Sequence, residues 1–248
     1  FLYAPIFTMM VLSFNRSKSR TQWGGFTLDW YVQMFDSRPI MSALYTTLLI
    51  AFVSALAATI IGTAASVAIN NMRALPRTVI MGITNIPMLN ADIVTGISLM
   101  LAFIAFGISL GFQTVLISHI TFNIPYVILS IMPKLRQMDK NLVDAAQDLG
   151  CTWMQAFWKV VVPEIKPGII NGLLIAFTMS VDDFVISYFT AGSTFSTLSM
   201  VIYSMAKKRV SPEINALSTL LFVVVVTLLV IVNVRQTRQD KRRMVHGN

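Results

Sequence analysis

The sequence predicts an all-α membrane protein, a polytopic bundle of six transmembrane helices forming one domain over residues 1–248, with the first helix entering part-way along. Three observations carry that expectation. Hydrophobic residues make up 55% of the chain and charged residues 12%, and the mean hydropathy is +0.70, which is too apolar for a water-soluble globule. Uncharged runs long enough to cross a bilayer recur along the chain. Lys and Arg gather in alternate connections, as cytoplasmic loops require.

The runs are taken in order. Residues 1–14 are apolar up to Asn15, Arg16, Lys18 and Arg20, and read as the outer part of a first span. A cleaved signal peptide fits less well, since no small-residue cleavage site follows Phe14. Residues 40–72 hold no charge between Arg38 and Arg73, giving a second, tilted span rich in the small residues that allow close helix packing. A third stretch, 78–106, is interrupted by Asn85, Pro87, Asn90 and Asp92, and Gly107 and Gly111 mark the turn after it. Residues 112–132, 168–189 and 214–234 supply the fourth, fifth and sixth spans. The uncharged segment 190–206 is short for a span and is placed outside as a partly re-entrant loop.

In this arrangement twelve of the nineteen Lys and Arg residues fall on one side, around Arg73 and Arg77, in the polar segment 133–167 and in the tail. That side is expected to be the cytoplasm, and the C-terminus of this multi-pass chain to lie there. The net charge of +8 therefore has a topological cause, and no basic stripe interleaved with aromatics points to nucleic acid. The tail from Arg235 to Arg243 suits an anchor on anionic membrane lipid. A single cysteine, Cys151, excludes an internal disulfide or a cysteine metal cluster.

The segment 133–167 holds the most specific signal. Asp139 is placed to cap a short helix running to Leu149, and Gly150 to end it in the left-handed conformation. Thr152 and Gln155 form a capping box for a second helix, which Pro163 is expected to terminate. Trp153, Met154, Phe157, Trp158 and Val161 would form an apolar stripe on that second helix, while Ala145 and Ala146 keep the first one thin. The result is a helix-turn-helix elbow. Asp144-Ala145-Ala146, three residues, Gly150, nine residues and Val160-Val161-Val162-Pro163 resemble the EAA loop of ABC-importer permeases, with Asp for Glu and Val for Ile and Leu. Its place between the fourth and fifth spans, on the cytoplasmic side, also matches.

Further strings narrow the likeness to the PotC-type spermidine and putrescine permeases of that family: residues 118–125, Met179-Ser180-Val181-Asp182-Asp183, and 202–205 continuing to 211–217. The resemblance implies a type I importer permease whose elbow, through Asp144, Ala145, Ala146, Gly150, Trp153, Phe157 and Pro163, docks into a cleft on an ATPase. It implies four partners: a second, PotB-like permease, two ATP-binding subunits and an extracellular polyamine-binding protein. No cofactor is expected in this chain, ATP and Mg being held by the ATPase. Independently, none of the eight lysines follows a glycine, so the chain has no phosphate-binding loop, and it is expected not to be an enzyme.

Three carboxylates fall inside predicted spans, where each costs about 2.5–3.5 kcal/mol on insertion scales and so calls for a polar surrounding. Asp92 and Asp182 lie at similar expected depth, about 21 Å along straight helices from the cytoplasmic ends. With Phe184 and Tyr188 they would meet an extended ammonium cargo. Asp92 also suits the start of a helix resumed after Asn90. Asp182 and Asp183 point about 100° apart on a helix, so one faces the path and the other is structural. The stripe through Asn171 and Thr178 favours Asp182, while Ser180 and Ser187 share the face of Asp183; the residues alone do not decide. His119 reads as a bonded packing residue ahead of a proton carrier. The alternatives are a permease for another small cationic solute and an ion-coupled transporter using Asp92, Asp182 and His119.

Overall fold

The computed structural model describes residues 4–17, 22–139, 141–193, 195–208, 214–220, 222–223 and 226–227. Its helices are α1 (Ala4–Ser13), α2 (Asp29–Asp36), α3 (Arg38–Asn70), α4 (Ala74–Leu89), α5 (Asp92–Ala105), α6 (Phe112–Gln137), α7 (Asn141–Asp148), α8 (Trp153–Ala156), α9 (Val162–Asp182), α10 (Val185–Thr190) and α11 (Leu198–Lys208). A π-helical turn, Phe157–Val161, joins α8 to α9. Three of these helical stretches are long and apolar enough to cross a membrane, or four if α4 and α5 count as one broken span. Of the expected sixth span, 214–234, residues 214–220, 222–223 and 226–227 are described and the rest lies outside the described residues. The chain divides into two compact units, Phe1–Ser42 with Val201–Asn248, and Ala43–Met200.

In the first unit the link between α1 and α2 is built around Asn15, which is almost fully buried. Its carboxamide donates to the Gln22 carbonyl (2.9 Å) and accepts from the Gly24 amide (2.8 Å). Its backbone carbonyl accepts from the Trp30 indole at 2.7 Å. Phe14 stacks on Phe26 with ring centroids 5.3 Å apart. A short connection thus satisfies its own backbone and closes with an aromatic pair.

In the second unit α6 is the central helix. Val127, fully buried on α6, is wedged between glycines of two neighbours: a Cβ added at Gly62 of α3 would stand 2.7 Å from the Val127 Cγ1, and one at Gly172 of α9 3.2 Å from it. A Cβ at Gly168 would meet backbone instead, 3.1 Å from the Ser130 carbonyl oxygen, and Ser130 Oγ donates to the Gly168 carbonyl at 3.1 Å. The uncharged, small-residue runs therefore act as expected, bringing backbones together where lipid gives no hydrophobic drive. Ala55, Ala58, Ile131, Leu135, Val161, Ile165 and Ala176 extend this core. Gly62→Ala should destabilise the assembled protein by about 1–3 kcal/mol through overpacking, and Val127→Ala should restore it. Gly168→Ala, whose neighbour is backbone, should resist such repair. Thermal midpoints of the purified complexes in detergent give the comparison.

Three features depart from the expected spans. α4 and α5 meet at 105° across Asn90 and Ala91, so the third stretch is no straight rod. The straight-helix depth given to Asp92 does not apply, because the chain turns at Asn90 immediately before that residue. The fifth span breaks after Asp182, resuming as α10. The expected end of the elbow's second helix at Pro163 does not occur: helical structure runs from Trp153 to Asp182. The wider π turn stands just ahead of Pro163, which falls in the first turn of α9, where its missing N–H and its ring are tolerated. The connection between the long helices is accordingly 138–152, shorter than the polar segment 133–167, since α6 continues through Pro133 to Gln137.

Candidate functional site: a helical elbow and a broken-helix acid pair

The elbow is built by local signals. The Asp139 carboxylate accepts from the Asn141 amide (2.9 Å) at the start of α7. At its end the Gly150 amide donates to the Gln147 carbonyl (2.8 Å) and the Cys151 amide to the Ala146 carbonyl (3.0 Å), with Gly150 at φ +88°. That is a Schellman motif, and it needs a residue at ease with positive φ. Thr152 then caps α8, accepting from the Gln155 amide at 3.4 Å, while the Gln155 side chain accepts from the Thr152 amide at 3.1 Å.

The expected stripe on the second helix divides into two faces. Val161 is buried in the core, with Phe157, Val143 and Met138 packed against it, so this face fastens the elbow to the bundle. Trp153, Met154 and Trp158 stay exposed, Trp153 stacked on Phe157 with centroids 5.9 Å apart. Asp144 and Ala145 are exposed on α7, Ala146 is buried, and Pro163 is exposed at the start of α9. Leu149, beside Gly150 at the end of the elbow's first helix, is 87% exposed as well. It occupies a variable position of the motif, so the sequence carries no signal for it.

The acids separate by environment. Asp182, the last residue of α9, is exposed. Asp183 has extended backbone and a side chain only 9% exposed. Its carboxylate accepts from the amides of Ile186 (3.2 Å) and Ser187 (2.8 Å), capping α10, and pairs with His119 Nε2 at 3.3 Å. The same Nε2 lies 3.1 Å from Ser187 Oγ. On the other edge of the ring, His119 Nδ1 lies 2.5 Å from Ser180 Oγ, which is 3.1 Å from Ser54 Oγ of α3. A buried polar chain thus connects α3, α6, α9 and α10. The packing reading of His119 agrees with these contacts.

Thr178, in the stripe that favours Asp182, turns its hydroxyl to the Leu174 carbonyl of its own helix. Phe184 and Tyr188 lie 5.4 Å apart by centroid beyond the break, Tyr188 exposed. Asp92 is exposed in the first turn of α5, as its reading at a resumed helix start requires. One turn on, Gly96 packs on α10, where an added Cβ would stand 3.1 Å from the Phe189 ring. Tyr126 of α6, not singled out by the sequence, lies within electrostatic reach of Asp92. Among the described residues no cluster of three metal-ligating side chains occurs.

Comparison with known proteins adds to this geometry. A family model described as the binding-protein-dependent transport system inner membrane component matches residues 58–245. The spermidine/putrescine transport system permease protein PotC of Haemophilus influenzae is 36% identical over 231 residues, covering 93% of this chain and 90% of that protein. The putrescine transport system permease protein PotI of Escherichia coli K12 is 37% identical over 251 residues, covering 98% and 89%. Among solved structures, a bacterial ABC transporter involved in import of the acidic polysaccharide alginate has a chain that superposes with a TM-score of 0.73 at 17% identity, covering 96% of this chain and 90% of that one. A chain of the inward-facing methionine transporter MetNI gives 0.64 at 22% identity, covering 83% and 98%. These last two speak for the fold alone.

Proposed function

Because this chain belongs to the family of inner-membrane components of binding-protein-dependent transport systems, we propose that it is the permease subunit through which an ATP-driven importer passes a polyamine, spermidine or putrescine. The names of its relatives suggest that cargo. The observation that carries the reading is the contrast within the acid pair: Asp183 is consumed by a helix cap and a histidine, while Asp182 is exposed, two residues ahead of Phe184, whose ring packs on that of Tyr188. A carboxylate next to aromatic faces is the chemistry that a flexible di- or tri-ammonium chain needs, and Asp92 supplies a further charge on the helix packed against α10.

Coupling follows from the elbow. Its inner face is fixed to the bundle and its outer face, with Leu149, Trp153, Met154 and Trp158, is apolar and exposed, suited to a groove on a separate ATPase. Closure of two such ATPase subunits on ATP would move the elbow as a rigid piece, carrying α9 with it, since helix runs unbroken from Trp153 to Asp182. The acid pair ends that same helix. A second, PotB-like permease would supply the opposite wall, an extracellular polyamine-binding protein would deliver cargo, and the C-terminus would lie in the cytoplasm. ATP and Mg would be bound by the partner subunits only.

The test is uptake of radiolabelled spermidine and putrescine into proteoliposomes holding both permeases and the ATPase pair, with the binding protein outside and ATP inside. Uptake should appear only with all components present, and the isolated chain should bind no ATP. Uptake by this chain alone would return it to the ion-coupled reading. Preference for a non-polyamine cation would keep the machine and change the cargo.

A further inference from the structure

We propose that His119 is a positioning residue for the cargo-facing acid: by tying Asp183 to α3 and α6, it fixes the α9–α10 break and so sets where Asp182 stands. The proposal rests on the polyamine reading only in naming the cargo. Its geometric part stands by itself.

The break has no covalent cause. Residues 179–187 contain neither glycine nor proline, so nothing in the backbone forbids a continuous helix there. What replaces the helical ladder is the Asp183 side chain, which takes the amides of Ile186 and Ser187 as a cap. In a buried setting that cap needs a partner for the carboxylate's charge, and His119 Nε2 is the one provided. The ring is held from its other edge by Ser180 Oγ, itself backed by Ser54, and His119, Ser180, Ser54 and Ser187 are all nearly fully buried. With Nε2–H donated toward Asp183, the Ser180 hydroxyl donates to Nδ1 and Ser54 donates to Ser180. The imidazole thus bridges two residues of α9's last turn, Ser180 inside the helix and Asp183 at its exit. Asp182 lies between them in sequence and faces the other way, exposed. Its direction is fixed by neighbours that are both anchored to one ring.

Two amides separate the two edges of that ring. In His119→Gln the longer side chain places its amide near the Nε2 position and keeps a donor for Asp183. In His119→Asn the amide falls near Nδ1, reaching Ser180 but not Asp183. Spermidine uptake by the complete transporter should show a KM raised about tenfold in His119→Asn, the scale of a slightly misplaced charged group, and near the wild-type value in His119→Gln. A second measurement needs no cargo. In a Cys151→Ser background, the thiol introduced by Asp182→Cys should react with a charged thiol reagent in membrane vesicles several-fold more slowly in His119→Asn than in His119→Gln. The proposal is overturned if the two amides behave alike in KM and labelling, whether both match the wild type or both lose it equally. If the wild-type complex takes up no polyamine, the cargo reading fails and the labelling comparison decides the positioning role.

Discussion

Asp182→Asn should lower polyamine uptake at least tenfold while the chain still inserts, assembles and copurifies with its ATPase. Tenfold is about 1.4 kcal/mol, a modest loss for one carboxylate facing an ammonium group away from bulk water. Asn keeps the shape of the side chain, and Asp182 makes no ion pair with another described residue, so removing its charge disturbs nothing that holds the fold. Asp183→Ala should act by another route. It would free two amides at the start of α10 and leave His119 Nε2 with the Ser187 hydroxyl alone, and each unsatisfied buried group costs about 1–3 kcal/mol. The expected outcome is loss of protein from the membrane. Asp183→Asn retains an acceptor for the Ser187 amide and should keep abundance and most of its uptake. Transport of radiolabelled spermidine, normalised to membrane abundance, separates the effects. Near-wild-type uptake in Asp182→Asn would sink the assignment of that acid to the path.

What the sequence disclosed and what it hid divide along the range of the interactions. The elbow was legible because each of its signals acts within a few residues: Asp139 on Asn141, Thr152 with Gln155, Gly150 at positive φ. The spans at α3 and α6 were legible for the same reason, as unbroken apolar composition needs no knowledge of neighbours. The angle between α4 and α5 was not. Pro87 and Asn90 mark a place where the helix is weak, but the size of the turn depends on where α5 finds packing, and Gly96 finds it on α10. The break at Asp183 was hidden more deeply. Its cap is local, yet an acid at that position breaks a helix only if its charge is satisfied, and the satisfying group, His119, is 64 residues away on α6. The two-fold choice between Asp182 and Asp183 could be framed from angular spacing and could not be resolved by it. Pro163 departs in the opposite sense: a proline there signals a stop, whereas helix continues through the π turn before it.

Gly150→Val should abolish coupling, with ATPase subunits lost from the purified complex and uptake falling to background, although the chain remains in the membrane. At φ +88° the cost is conformational, because a Cβ added there meets nothing within 4 Å. An ordinary L-residue in the left-handed region costs about 1–2 kcal/mol and a β-branched one more, so the Schellman closure joining Gly150 and Cys151 to α7 would give way to another turn. The bundle itself would be spared, since Met138, Val143, Phe157 and Val161 anchor the elbow from its inner side. What changes is the angle between the helix that ends at exposed Leu149 and the one that carries exposed Trp153 and Met154, on which the proposed docking depends. A graded series distinguishes backbone strain from side-chain bulk. Gly150→Asn, which tolerates positive φ, should retain most coupling, Gly150→Ala should be intermediate and Gly150→Val lowest. If loss instead followed side-chain volume, with Asn as damaging as Val, the glycine would be needed for close approach by the ATPase rather than for its φ. Full copurification and transport in Gly150→Val would remove the elbow's turn from the coupling mechanism.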